Sequence, residues 1–258
     1  MKHSYNLAFI TGATSGIGEE FARQLPYTTN LILTGRNTEK LKSLQNELTS
    51  ETRTVEVITA DISNPDGLKK LIDAVKDKPI DLFINNAGLG FYGPMQTHTY
   101  EQEHEMMHVN VIAVGALAHA LCPAMAKNAH AHNQEATMVV VSSVAGFMAL
   151  PGFATYAATK MFDLSLAEAL AEEYKHTPLK IQALCPGPTR TQFAPRSGMP
   201  MHGMHVKDVV SLSLNKIGKK RIVIPGFSNK LSVAPVKFLP RALVTFLAGA
   251  VIKKTKQM

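Results

Sequence analysis

A chain of 258 residues that is 45% hydrophobic and 18% charged suits one domain with a large core. Its two cysteines, Cys122 and Cys185, exclude a disulfide framework and point to a reducing cytoplasm. With no run of 20 uncharged apolar residues and no signal-peptide pattern at Met1-Lys2-His3-Ser4-Tyr5, neither a spanning helix nor secretion is expected. The net charge of +7 sits at one end: residues 209–258 carry ten basic side chains and no acidic ones, while the other 208 residues carry 17 basic and 20 acidic. That asymmetry fits an anionic surface or substrate near the C-terminal end, or a solvated face.

Leu7-Ala8-Phe9-Ile10-Thr11 reads as a buried parallel strand. Gly12-Ala13-Thr14-Ser15-Gly16-Ile17-Gly18 follows, and then helical spacing from Glu19 to Leu25. Strand, glycine turn and helix in that order is the setting a dinucleotide-binding loop requires. Glycines let phosphates approach the backbone where the helix dipole favours negative charge. The spacing is G-x-x-x-G-x-G rather than G-x-G-x-x-G. The second strand, Leu31-Ile32-Leu33-Thr34, ends in Gly35-Arg36-Asn37, with no acidic residue to hold the ribose 2′-hydroxyl of NAD. Arg36 could instead pair with a 2′-phosphate, which favours NADPH over NADH.

Helical spacing at Glu39–Leu48 precedes a third strand, Val55–Ala60, with Asp61 at its end, where it could contact adenine. A helix over Pro65–Val75 leads to a fourth strand, Asp81–Ile84, and to Asn85-Asn86-Ala87-Gly88. On the next helix His104-Glu105-Met106-Met107-His108 fits the zinc signature H-E-x-x-H. Val111 stands where the longer form of that motif places glycine, so the two histidines are read as helix-surface residues and no metal is expected. His130-Ala131-His132 is read as part of a polar loop. The helix carries Asn110 and runs to about Ala126; the fifth strand, Met138–Val141, then ends in Ser142-Ser143. A long apolar helix from about Thr155 to Tyr174, a sixth strand over Ile181–Cys185, the segment Pro186-Gly187-Pro188-Thr189-Arg190-Thr191 and a seventh strand, Ile222–Ile224, complete the pattern. Alternation of this kind argues for an α/β fold: one Rossmann-type doubly wound domain, a seven-stranded parallel sheet with helices on both faces.

Tyr156 and Lys160 stand one helical turn apart on one face. A phenol titrates near 10, and a fixed ammonium beside it favours the phenolate and brings it toward working pH. The pair is therefore an acid–base device in outline, or a plain surface pair.

Taken together, TGATSGIG at 11–18, NNAG at 85–88, Asn110, SS at 142–143, YAATK at 156–160 and PGPTRT at 186–191 resemble the short-chain dehydrogenase/reductase family, in the branch of about 250 residues that includes hydroxysteroid and ketoacyl reductases. The resemblance covers residues 5–225 and implies roles. Tyr156 would be the general acid, Lys160 would lower its pKa and bind the nicotinamide ribose, Ser143 would hold the substrate carbonyl, and Asn110 would anchor a proton-relay water. Gly12, Thr14, Ser15, Gly16, Ile17 and Gly18 would surround the pyrophosphate. Asn86, Ala87, Gly88, Pro186, Gly187 and Thr189 would complete the NADP(H) site with Arg36 and Asp61. The catalytic pattern is intact, so an enzyme is expected: an NADPH-dependent carbonyl reductase. The alternative is a non-catalytic NADPH-binding regulator that docks partners through its tail.

Specificity should come from Phe91-Tyr92, from Phe147-Met148-Ala149-Leu150 and from residues 191–205, where Met199, Met201 and Met204 lie between glycines and prolines. Those methionines read either as a mobile lid over an apolar substrate or as an ordinary surface loop. Residues 1–230 form the catalytic domain and 231–258 an apolar, basic extension of it. The longest uninterrupted apolar part of the extension, Ala242–Ile252, would span only about 17 Å as a helix. It packs on its own domain, meets another subunit, or lies on a membrane surface with basic anchors. Its apolar residues surround the helix, which favours the first two over the third. A small-molecule partner, a homodimer or homotetramer and a cytoplasmic location are expected, with peripheral membrane contact as an alternative. No nucleic-acid partner is expected, because the basic residues lack interleaved aromatics.

Overall fold

Near-continuous Val, Ile, Leu and Phe runs cannot expose either face to water, so they assemble as a parallel sheet covered on both sides. The computed structural model describes residues 5–199 and 202–255. In chain order, β1 (Leu7–Thr11), α1 (Gly16–Gln24), β2 (Asn30–Gly35), α2 (Thr38–Leu48), β3 (Val55–Thr59), α3 (Pro65–Val75) and β4 (Leu82–Asn85) make the first half. Then come α4 (Tyr100–Met107), a π-helical turn (His108–Ala113), α5 (Val114–Ala131), β5 (Ala136–Val141), α6 (Ala154–Glu173) and β6 (Leu179–Leu184). The chain ends with β7 (Thr189–Arg190), α7 (Phe193–Arg196), β8 (Met204–His205), α8 (Val206–Lys216), β9 (Ile222–Val223), α9 (Phe227–Val233) and α10 (Arg241–Thr255).

Seven strands form one sheet in the order β3-β2-β1-β4-β5-β6-β9, every pairing parallel. The order reverses between β1 and β4, and a crevice opens at the carboxyl ends of the strands there. Alternate residues serve opposite faces. Phe9 and Phe83 stack with ring centroids 5.2 Å apart in the layer shared with α3, α5 and α6. Their neighbours Ile10 and Ile84 point into the layer under α1, α2 and α8.

Two features differ from the sequence reading. The helix after the π turn continues to Ala131, past Pro123, and stops where Asn133 turns left-handed at φ 51°, so His130 lies in a helix and not in a loop. Its alanine-rich composition sustains the helix where its polar residues suggested a loop. The stretch Tyr100–Ala131 is also long and apolar enough to cross a bilayer by length and composition, against the expectation that no such run exists. Half of its apolar window is buried, with Leu117, Leu121 and Met125 packed into the core. Met201 and Lys256 lie outside the described residues.

Candidate active site

At the crevice the chain turns sharply at Gly12, in the left-handed region at φ 65°. A Cβ there would stand 2.9 Å from Ala87 Cα, and one on Gly18 would stand 2.4 Å from the Gly12 carbonyl oxygen. Bare backbone is therefore what lets β1, β4 and α1 meet. Asn86 secures the junction: its side-chain amide donates to Thr11 O at 2.8 Å, and the Thr11 hydroxyl accepts from the N–H groups of Asn86 and Ala87. Ser15 precedes α1 without a side-chain cap. The first N–H groups of the helix are thus left for an anionic ligand, the arrangement a dinucleotide phosphate needs.

A cavity of about 1080 Å³ runs from this turn across the sheet end. Its walls include Gly12, Thr14, Ser15, Gly16, Ile17, Arg36, Asp61, Asn86, Ala87, Gly88, Ser143, Tyr156, Lys160, Pro186, Gly187 and Thr189. Gly18 and Asn110 stand behind the wall: Gly18 packs on Gly12, and Asn110 is fully buried. Arg36 is half-exposed and donates to Glu105 Oε1 at 2.7 Å, a partner the sequence did not reveal. Burial alone would raise the Asp61 carboxyl. The Ser63 hydroxyl and N–H, with the charges of Arg36 and His108, hold it below its usual range.

The π turn puts Asn110 inside the protein, consistent with the use of such turns at functional sites. Its amide donates to Leu89 O at 2.9 Å and Thr159 Oγ1 at 3.0 Å, and its oxygen accepts from Leu89 N at 2.8 Å. Gly88 lies between Asn110 and Lys160; a Cβ there would meet Lys160 Nζ at 3.4 Å and Asn110 Oδ1 at 3.5 Å. Ser143 leaves β5 with its hydroxyl accepting from Ala145 N at 3.1 Å and donating to Pro186 O at 3.3 Å. The Tyr156 ring stacks on Phe153, centroids 4.3 Å apart, and meets Phe193 at 5.5 Å. Lys160 Nζ lies 5.9 Å from the Tyr156 ring centroid and donates to Val141 O at 3.0 Å and to Asp163 Oδ2 at 2.7 Å.

Electrostatically this differs from a tyrosine governed by lysine alone. Burial raises the Tyr156 phenol most; Lys160 and the Ser143 hydroxyl pull it down, Asp163 pushes it up, and the net direction is upward. Lys160 is itself held above its ordinary value, because the charges of Asp163 and Tyr156 outweigh the effect of burial. Burial pushes the Asp163 carboxyl up to about 6 against the pull of Lys160.

Beyond Tyr156 the cavity becomes apolar, with Phe91, Met148, Leu150, Phe153, Phe193 and Met199 on its walls. The last helices close over it: Val236, Leu239, Val244, Leu247, Ala248 and Ile252 line the same space. One face of the tail therefore packs on its own domain. Its outer side exposes Phe238 and Phe246, at 87% and 73%. Met204 pairs with Thr189 in β8, its N–H donating to Pro188 O, and packs on the core below α8. One expectation is corrected. His108 is not on the surface; the π turn buries it, and its Nδ1 stands 3.0 Å from Ile62 O.

Residues 6–199 match the short chain dehydrogenase family model. The chain is a short-chain dehydrogenase/reductase. Among similar proteins, the 7beta-hydroxysteroid dehydrogenase of Mediterraneibacter gnavus is 30% identical over 234 residues, which cover 87% of each chain. A short-chain dehydrogenase from Sphingobium yanoikuyae, solved with NADPH, superposes with a TM-score of 0.78 at 28% identity, covering 92% of this chain and 97% of the other. The bulky-bulky ketone specific alcohol dehydrogenase of Comamonas testosteroni gives 0.74 at 28% identity, covering 92% and 96%. As a short-chain dehydrogenase/reductase the chain is an oxidoreductase, and its glycine turn and uncapped α1 N-terminus fit a nicotinamide dinucleotide.

Proposed function

We propose that this protein is an NADPH-dependent reductase of a bulky, apolar ketone or aldehyde. The observation that carries the reading is one cavity with a phosphate turn at one end, an apolar compartment at the other, and Ser143, Tyr156 and Lys160 between them. A nicotinamide bound across the sheet end supplies the hydride. Ser143, fixed at the end of β5, orients the substrate carbonyl oxygen toward Tyr156. Tyr156 gives that oxygen its proton, and both hydroxyls meet the negative charge as it develops. A buried phenol kept protonated is an acid at neutral pH, which suits reduction. Lys160 holds the nicotinamide ribose with the donor not taken by Val141 and Asp163. Asn110, on the far side of Gly88, links Lys160 toward solvent through water.

Arg36, beside the cavity and partly exposed, is the basis for NADPH over NADH. The apolar walls, together with the steroid and bulky ketones named for two relatives, support a large hydrophobic substrate. A cofactor-sensing scaffold would need neither the acid nor the substrate compartment. The test is loss of NADPH absorbance against a panel of steroid, bulky aryl and small ketones, with NADH in parallel. Bulky ketones should turn over with NADPH, and Tyr156→Phe should abolish turnover while NADPH still binds. Turnover retained in Tyr156→Phe would refute the role given to that residue, and preference for NADH would refute that of Arg36.

A further inference from the structure

The catalytic helix carries one buried charged group besides Lys160 that the reaction above does not require. Asp163 follows Lys160 by three residues, is fully buried, and places Oδ2 2.7 Å from Lys160 Nζ. Its other oxygen, Oδ1, has no hydrogen-bond partner in the structure. A carboxylate in the interior is costly unless its partner is well placed, so this residue is poorly explained by stability alone. Lys160 has three donors, and Asp163 and Val141 occupy two of them. The ammonium is thereby fixed at two points beneath the Tyr156 ring.

Among the described residues, the other groups acting on Lys160 and Asp163 are neutral. From just past the end of β6 comes Cys185, whose thiol burial pushes up to about 12 and so keeps neutral. From the end of β5 come the hydroxyls of Ser142 and Ser143, the former donating to Lys160 O at 2.8 Å. From the π turn comes the neutral amide of Asn110. On α6 itself Thr159 donates to Tyr156 O, and Glu168 acts on Cys185. Among the groups acting on Tyr156, Lys160 and Asp163 carry the charges, and their signs oppose.

We infer that Asp163 is a positioning residue for the proton transfer: it clamps the Lys160 ammonium and offsets its charge, so that Tyr156 serves as a proton donor and the site favours carbonyl reduction over alcohol oxidation. This rests on the reductase reading, but its test does not. Asp163→Asn keeps the shape and removes the charge. In an ultraviolet difference titration of the cofactor-free protein, one tyrosine should ionise about one pH unit earlier in Asp163→Asn than in wild type, as expected when the unit charge paired with Lys160 is removed. The early component should vanish in Asp163→Asn/Tyr156→Phe. The apparent pKa that governs alcohol oxidation should fall by the same amount, with reduction lost correspondingly earlier at high pH.

An unchanged tyrosine titration overturns the inference even if the enzyme reduces ketones. A shifted titration in a protein that reduces no carbonyl supports the charge offset and refutes the reductase reading instead. If Asp163→Asn does not fold, thermal melting of Lys160→Met and of Lys160→Met/Asp163→Asn decides. The pair predicts that the single variant, with its carboxylate buried alone, melts below the double. A double variant that melts no higher than Lys160→Met overturns the clamp.

Discussion

Replacing Gly18 by alanine sets two effects of opposite sign against each other. Gly18 lies in the first turns of α1, where alanine is the better helix former by at most about 1 kcal/mol. The new methyl would stand 2.4 Å from the Gly12 carbonyl oxygen and 2.5 Å from Asn86 Nδ2, inside any real contact distance. Overpacking of this kind costs about 1–3 kcal/mol, and a backbone carbonyl held at a left-handed turn cannot swing aside, so the upper part of that range applies. The net loss of about 1–2 kcal/mol should lower the melting temperature by about 2–8 °C. Because the strain displaces Gly12, NADPH affinity should fall at least about tenfold, the equivalent of about 1.4 kcal/mol. Gly115→Ala is the control: its Cβ would meet Phe162 at 3.5 Å, an ordinary contact. That variant should gain about 1 kcal/mol and melt about 2–4 °C higher with NADPH affinity unchanged. Differential scanning fluorimetry and calorimetric titration read both quantities. A Gly18→Ala protein with the melting temperature and NADPH affinity of wild type would refute the claim that close backbone approach builds the phosphate turn.

Other outcomes follow from the same geometry. Glu105→Gln frees Arg36 from its ion pair, so NADPH should bind about two- to fivefold tighter with NADH unaffected, the scale of an exposed pair; equal changes for both cofactors would contradict the place given to Arg36. Asn110→Ala removes three hydrogen bonds and leaves the Leu89 backbone groups unpaired in the interior, for a loss of about 2–4 kcal/mol in urea unfolding; a loss below about 0.5 kcal/mol would show that the π turn does not depend on it. The Asp163 carboxyl titrates at about 6 in the fold against 3.8 for an ordinary aspartate. A raised acid means the folded state holds its proton more tightly, so this contribution is present below about pH 4 and lost as pH rises through about 6. The stability difference between wild type and Asp163→Asn should therefore change between about pH 4 and 6 and be flat above about 7, and a difference flat throughout would refute the assignment. A chain ended at Pro240 lacks α10 and with it Val244, Leu247 and Ala248 of the cavity wall; it should keep NADPH binding and lose turnover of bulky ketones more than of small ones, and equal losses would remove α10 from substrate selection.

The parts legible in the sequence are those set by short spacing. Gly12, Gly16 and Gly18 declare themselves because a strand precedes and a helix follows within a few residues. Tyr156 and Lys160 declare themselves because helix geometry alone puts them on one side. Asp163 satisfies the same kind of spacing yet looked ordinary, since sequence does not distinguish a buried helix face from a wet one when apolar residues surround the helix. His108 misled for the related reason that a π turn, and not the H-E-x-x-H pattern, decides which way it points. Phe193, the pairing of Glu105 with Arg36 and the tail over the cavity depend on contacts between residues dozens to hundreds of positions apart. No local period records those.

The two ends of the cavity come from different stretches of chain. Residues before Leu89 build the phosphate turn itself, with Thr191 packed on Gly16 and Arg196 donating to Ser15, whereas Phe193, Met199 and α10 supply much of the apolar compartment. Gly12 and Gly18 contact Ala87, Asn86 and one another, and Val244 and Ala248 are not among their near neighbours. Substitutions at the two ends should then add nearly independently. A lineage could therefore explore new substrates by altering its last helix alone, one residue at a time, while the oxidoreductase chemistry it inherited continues undisturbed.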